Sequence, residues 1–271
     1  MTKEIPLSER ELEQIADRAK EIAKKTGNYL AKTAISSVSQ KTGHANFVTD
    51  MDLKVQEMLV TELTPLLPGA SFLLEESDAP ASLADFTWII DPIDGTQNFI
   101  SGNRQSAISI GLYYKTIGLT GIVCNPFLDE LYTAVSGQGA FLNDKPIHVS
   151  EKPLANAIIC AGTSLYYEEL HEKYLHMITA LLPLCGDFRR FGSAALELCY
   201  TACGKCDGFF EYRLCPWDYA GAAVILREAG GLIAPIEHET LDCRKKSGII
   251  AGGKTVFECL QKIAGKSQET V

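Results

Sequence analysis

Asp91 and Asp94 are the residues on which chemistry can be built. The stretch Thr87-Trp88-Ile89-Ile90 has the continuous apolar character of a buried strand and ends in the first carboxylate. The second carboxylate follows three residues later, then Gly95 and Thr96. Pro92 stops the strand and stiffens the turn. Gly95 lets backbone approach a ligand, and Thr96 caps a short helix through Gln97-Asn98-Phe99. Two acids, one intervening carbonyl and a helix N-terminus therefore converge. Hard cations take carboxylate and carbonyl oxygens; phosphate oxygens take helix N-termini and free N–H groups. An Asp-x-x-Asp pair by itself is commonly an acidic surface turn. Such a turn needs neither a buried strand to deliver its first Asp nor Gly-Thr after its second.

Other acidic residues sit at comparable places. Ser71-Phe72-Leu73-Leu74-Glu75-Glu76 is a second apolar run ending in acids, and its meeting with Asp91 and Asp94 would make a metal site. Thr49 and Asp52 form a capping box for a helix carrying Val55, Leu59, Leu63 and Leu66, which explains Asp52 structurally. Gly192-Ser193-Ala194 enters a helix that Ser193 caps. Glu211 ends the apolar strand Asp207-Gly208-Phe209-Phe210. Asp218, in Pro216-Trp217-Asp218, lies in a first helical turn, where a negative charge suits the helix dipole.

Asp91-Pro92-Ile93-Asp94-Gly95-Thr96 resembles the signature of the inositol monophosphatase family, magnesium-dependent and often lithium-sensitive phosphatases of sugars and nucleotides. Pro216-Trp217-Asp218-Tyr219-Ala220-Gly221 with Glu228-Ala229-Gly230-Gly231 resembles its second signature. The likeness runs from Lys41 to Gly231 in the family's order. The departures are Asn46 for Asp, Leu74 for Gly, Gln97 for Ser or Thr, and Gly102-Asn103-Arg104 for Gly-x-Pro. The resemblance implies a five-layer αβαβα sandwich, of mixed α+β and α/β character, with the site between its halves. One Mg²⁺ would use Glu75, Asp91 and the Ile93 carbonyl, a second Asp91, Asp94 and Asp218, and a weaker third could sit near Glu75. Glu75 and the Thr96 hydroxyl, polarised by Asp52, would activate a water. Phosphate oxygens would rest on the metals and the N–H groups of Gly95 and Thr96. Gly192, Ser193 and Ala194 would line the substrate ring, and Glu211 would hold its hydroxyls. Implied substrates are inositol monophosphate or a similar polyol phosphate. Alternatives are a 3′(2′),5′-bisphosphate, fructose 1,6-bisphosphate or, outside catalysis, a metal-binding regulatory role. Lithium sensitivity and a homodimer are implied as well.

Elements must position these groups. Residues 8 to about 34 keep helical periodicity through Leu12, Ile15, Ala19, Ile22, Thr26, Tyr29, Leu30 and Thr33, with Gly27 as a close packing point. Ser39 to Ala45 reads as a polar loop. Ser106 to Lys115, Gly118 to Asn125 and Glu130 to Val135 read as strands of a meander with helices on one side, and Asn143-Asp144 as a hairpin turn. From about Ser150, strands such as Ala157 to Cys160 alternate with helices at Glu168 to Leu182 and Ala194 to Cys203. The expected division is 1–148, carrying most metal ligands, and 149–271, completing the substrate site.

Composition sets the bounds. The 271 residues are 46% hydrophobic, enough for one large core or two intimate subdomains. A formal net charge of -9 argues against nucleic-acid polymer as partner, but not against phosphate esters, because bound cations invert local charge. No segment has the length of a membrane span and no signal peptide opens the chain. Nine scattered cysteines read as reduced thiols of a cytoplasmic protein. Cys203-x-x-Cys206 lacks a second pair of zinc ligands. His171 and His176 lie about 140° apart on a helix and cannot share a metal.

Overall fold

The computed structural model describes residues 5–40, 47–78, 82–163, 167–237 and 240–268. Lys41 and Asn46 fall outside them. The chain begins with α1 (Glu9–Lys32), opened by a capping box in which the Ser8 and Glu11 side chains bond each other's backbone N–H. Leu12, Ala16, Ala19, Ile22, Ala23 and Leu30 form its buried stripe, while Tyr29 faces outward. Gly27 is a packing point: a Cβ there would lie 3.0 Å from Cys124 Sγ.

A small hairpin, β1 (Val38–Gln40) and β2 (Phe47–Thr49), leads into α2 (Asp50–Leu63). Then come β3 (Ser71–Leu74), β4 (Phe86–Asp94), the short α3 (Thr96–Ile100), β5 (Ala107–Tyr114), β6 (Ile117–Asn125), β7 (Glu130–Val135), β8 (Ala140–Leu142) and β9 (Lys145–Ile147). Strands β3 to β9 form a seven-stranded sheet in sequence order, antiparallel except for the parallel β3–β4 pair. Asn143 and Asp144 both take positive φ, the backbone of a two-residue hairpin whose twist matches its strands.

The remaining elements are β10 (Ile158–Ala161), α4 (His171–Leu181), β11 (Asp187–Arg189), α5 (Ala194–Ala202), β12 (Gly208–Leu214), α6 (Pro216–Glu228), β13 (Leu232–Pro235), β14 (Ser247–Gly252) and α7 (Lys254–Gln268). Their strands make a five-stranded mixed sheet in the order β11-β10-β12-β14-β13.

Five layers result. Helices α1 and α2 cover one face of the large sheet through Leu30, Val55, Leu59, Trp88, Ile90 and Ile110. Helices α5 and α6 fill the space between the sheets with Leu196, Leu198, Val224 and Ile225, against Ile89 and Val123 on one side and Phe209 and Ile249 on the other. Helices α4 and α7 close the far face with Met177, Leu181, Leu260 and Ile263. The large sheet thus carries helices on both faces, not on one side as the meander suggested. Its second face is covered by the later helices α5 and α6, which a reading in chain order does not pair with it.

Two further boundaries differ from expectation. Strand β4 does not stop at Pro92; it runs to Asp94, with an irregularity in its pairing to β5 between Asp91 and Asp94. Pro92 is tolerated because the ladder is already broken there. Strand β12 likewise continues beyond Glu211 to Leu214, with a register shift after Glu211.

Helix α6 lies unusually close to the sheet. A Cβ on Gly121 would stand 2.1 Å from the Gly221 carbonyl oxygen, and one on Gly221 would stand 2.8 Å from the Ile110 carbonyl. These are backbone-on-backbone contacts that no rotamer change relieves. Gly121→Ala is therefore expected to destabilise by about 3 kcal/mol or more, read as a lower urea midpoint. The same contact presses the first turn of α6, with Asp218, down toward the end of β4.

Candidate active site

The site forms where β4 breaks. Asp91 Oδ1 accepts from the Ile93 N–H at 2.9 Å, which fixes the turn. Gly95 follows with φ 86°, a left-handed conformation that suits glycine. A Cβ on Gly95 would also stand 2.9 Å from the Gln105 carbonyl and 3.1 Å from that of Gly192. Gly95, not Thr96, is the N-cap of α3, and no side chain caps that helix. The Thr96 hydroxyl turns inward instead, 3.1 Å from the Ile93 carbonyl and 3.3 Å from Asp52 Oδ1. Asp52 faces both ways. Its Oδ2 accepts from Thr49 N at 2.7 Å in the capping box, and its Oδ1 receives Thr96.

Three more elements bring acids to this point. Glu75 follows β3; its N–H donates to the Ile90 carbonyl at 3.3 Å, and its carboxyl faces that of Asp91 closely enough to disfavour a second charge. Asp218 sits in the first turn of α6, where its Oδ2 accepts from Cys215 N at 2.7 Å. Asp94 reaches across to the start of α5: its Oδ2 accepts from Ser193 Oγ at 2.5 Å and Ala195 N at 2.7 Å. Ser193 also caps α5 through Leu196 N. The structure thus gathers Glu75, Asp91, Ile93, Asp94, Gly95, Thr96, Asp52, Ser193, Ala194 and Asp218 at one end of β4.

The far rim is built on the small sheet. Glu211 lies over Gly162, where a Cβ would overlap its carboxylate at 1.9 Å. Arg190 Nε donates to Thr163 Oγ1 at 3.0 Å beside Gly192. Sequence reasoning missed Glu197, 1% exposed, which accepts from the N–H groups of Phe191 and Gly192 and so shapes the approach to Ser193. A single Glu within the otherwise apolar run Ala194 to Ala202 was the available signal. It also missed Asn98, whose Nδ2 donates to the Gln105 and Phe191 carbonyls at 2.7 and 2.6 Å and ties the signature turn to the other sheet.

Residues 11–269 match the sequence profile of the inositol monophosphatase family. The chain belongs to the inositol monophosphatase family. It is 36% identical to the Nus factor SuhB of Haemophilus influenzae over 89% of this chain and 92% of that protein. It is 34% identical to the inositol-1-monophosphatase of Mesorhizobium japonicum over 83% and 85%. The crystal structure of the extragenic suppressor protein suhB from Bartonella henselae superposes with a TM-score of 0.86 and 34% identity, over 93% of this chain and 99% of that one. The inositol monophosphatase sandwich expected from the sequence is thus the fold of this chain. The expected exclusion of a nucleic-acid polymer as partner is not supported, with relatives that carry the name Nus factor. Among the described residues no helix is long and apolar enough to cross a membrane.

Electrostatics test whether an inositol monophosphatase metal set fits these residues. Burial pushes the Asp94 carboxyl up to about 7; bonds from Ser193 and Ala195 offset part of this, while Glu75 and Glu197 add to it. Asp91 is held well above the ordinary range by burial, then by Glu75, Asp94 and Asp218. Asp218 keeps some solvent access by surface area, yet protein encloses its carboxyl. It too is pushed well up, by burial first and then by Asp94 and Glu75. Among the described residues no three acidic, His or Cys side chains stand preassembled at ligand distance around one point. The acids face one another with oxygens engaged by Ile93, Cys215, Ser193 and Ala195. An all-oxygen set of mutually repelling buried carboxylates fits a hard divalent cation, the species that would relieve the repulsion.

A pH dependence follows for the metal-free protein. The folded-state value of Asp94 lies above the ordinary 3.8, so between about 4 and 7 the folded chain binds more protons than the unfolded one. Its contribution is complete below that window and is lost as pH rises through 7. Melting in EDTA should therefore occur at progressively lower temperature from pH 5 to pH 8. Added Mg²⁺ should restore most at pH 8. A melting temperature that rises with pH in EDTA would contradict the repulsion described here.

Proposed function

We propose that this chain is a Mg²⁺-dependent phosphomonoesterase acting on inositol monophosphate or a similar small polyol phosphate. The meeting of Glu75, Asp91, Asp94 and Asp218 beside the Asp52-held Thr96 hydroxyl carries this reading. Glu75, Asp91 and the Ile93 carbonyl would hold one Mg²⁺, and Asp91, Asp94 and Asp218 a second. When bound, Mg²⁺ would supply neutralisation of the phosphate charge and lower the pKa of water.

The remaining work falls to the chain. Thr96 and Glu75 position a water; its proton goes to the Glu75 carboxylate, or to Thr96 Oγ1 as Thr96 passes its own proton to Asp52 Oδ1. The Gly95 and Thr96 N–H groups, at the start of α3, would receive phosphate oxygens. Gly192, Ser193 and Ala194 line the ring side, and Glu211 accepts from polyol hydroxyls. No covalent phosphoenzyme is needed, since positioning and electrostatics carry most of phosphoryl transfer. The Mesorhizobium relative's name, inositol-1-monophosphatase, supports the polyol assignment. Lithium inhibition, a homodimer and a cytoplasmic setting belong to the same proposal.

The test is phosphate release from inositol 1-phosphate, adenosine 3′,5′-bisphosphate, fructose 1,6-bisphosphate and glycerol 2-phosphate, each with Mg²⁺ and with EDTA. The expected result is Mg²⁺-dependent release led by inositol 1-phosphate. Leadership by either bisphosphate would move the chain to that branch of the class. No release from any of them by folded, Mg²⁺-binding protein would favour a non-catalytic role, as the Nus factor relatives invite.

A further inference from the structure

Helix α2 touches the site a second time. Asp52 and Gln56 lie four residues apart and share the buried face of the helix. Asp52 reaches Thr96. Gln56, 7% exposed, reaches the turn after β3. Its Oε1 accepts from Glu76 N at 3.0 Å, while its Nε2 donates to the Glu76 carbonyl at 3.2 Å and to Ser77 Oγ at 3.0 Å. The amide orientation is fixed by these partners: turned over, Nε2 would face an N–H and Oε1 a carbonyl.

The clamp acts where the sheet no longer does. Pairing of β3 with β4 ends at Leu74 opposite Ile90, and Glu75 adds one bond to the Ile90 carbonyl. The next peptide is held by Gln56. Glu75 is thus pinned by β4 on one side and by α2 on the other, with its carboxyl against Asp91. Glu76 is only partly buried and Ser77 is exposed, so water can satisfy their polar groups without Gln56. What the buried amide adds is placement.

We propose that Gln56 is a positioning residue for Glu75, and that α2 sets the site by placing Thr96 through Asp52 and Glu75 through Gln56. This rests on the metal-binding reading above. The test is Mg²⁺ titration by calorimetry, without substrate, on the unaltered chain, Gln56→Met and Gln56→Asn. Met matches the length of Gln without its bonds; Asn keeps the amide but falls one methylene short. Both are expected to weaken Mg²⁺ binding by about 10- to 100-fold and to lower kcat, with KM for the phosphate ester within about twofold of unaltered by the same argument. Thr120→Val is the control. It removes a buried hydroxyl bond to the Ala134 carbonyl, 2.7 Å long, in β6, and should lower the melting temperature while leaving Mg²⁺ affinity unchanged. Unaltered Mg²⁺ affinity in both Gln56 variants would overturn the positioning role alone. No Mg²⁺ binding by the unaltered chain would overturn the proposed function and this role with it.

Discussion

Asp94→Asn is expected to give a folded protein whose kcat is lower by about 100- to 1,000-fold. The fold should survive because Asn keeps an acceptor for the Ser193 Oγ and Ala195 N bonds that Asp94 now receives. The charge disappears, and with it the carboxylate oxygen that Asp94 would give to the Mg²⁺ held with Asp91 and Asp218. The stability effect has the opposite sign. Asp94 is buried, its carboxyl is raised to about 7, and it pushes both Asp91 and Asp218 upward. Removing one negative charge from that group should raise the melting temperature of the metal-free protein at pH 8. It should also shrink the gain that Mg²⁺ provides. A loss of function coupled to a gain of metal-free stability is difficult to produce by general damage. Full turnover in a folded Asp94→Asn protein would remove Asp94 from the metal set.

The ends of apolar runs made most of this site legible. Glu75 follows a strand, Asp218 stands in the first turn of a helix, and Asp91 stands where the β4 ladder breaks, so each lies where regular backbone pairing is interrupted. The sequence could not show what lies opposite. Asp94 bonds the N-terminus of α5, a hundred residues away, and Glu197 shapes that end from inside α5. Such contacts depend on how two sheets pack, and no local period encodes them. Thr96 was misread for a related reason. A Thr after Gly at a helix start has the pattern of a cap, but Asp52 on α2 offers the hydroxyl a buried acceptor that local sequence does not reveal. The same limit applies to the helices on the second face of the large sheet. The helix from Ala194 and the one opening at Pro216 were visible, but the glycines that let α6 press against β6 carry no periodic signal. The domain division at residue 148 stays a proposal.

Thr96→Val isolates the proton-handling part of the mechanism. Asp52 is a poor target for this purpose, because its Oδ2 caps α2 through Thr49 while its Oδ1 meets Thr96. Changing it disturbs helix and site together. Thr96 carries no such double duty: its side chain does not cap α3, and among the described residues its hydroxyl meets the Ile93 carbonyl and Asp52. Val preserves the β-branched shape on a partly exposed turn, so stability should change little. If the hydroxyl orients and helps deprotonate the attacking water, kcat should fall by about 100- to 10,000-fold. KM and Mg²⁺ affinity should stay close to those of the unaltered chain, since the carboxylates are untouched. Thr96→Ser keeps the hydroxyl and should recover most of the loss. A weaker KM with unchanged kcat would instead place Thr96 in ground-state binding of phosphate. In that case Glu75 would be left as the sole proton acceptor, and Asp52 would be reduced to capping α2.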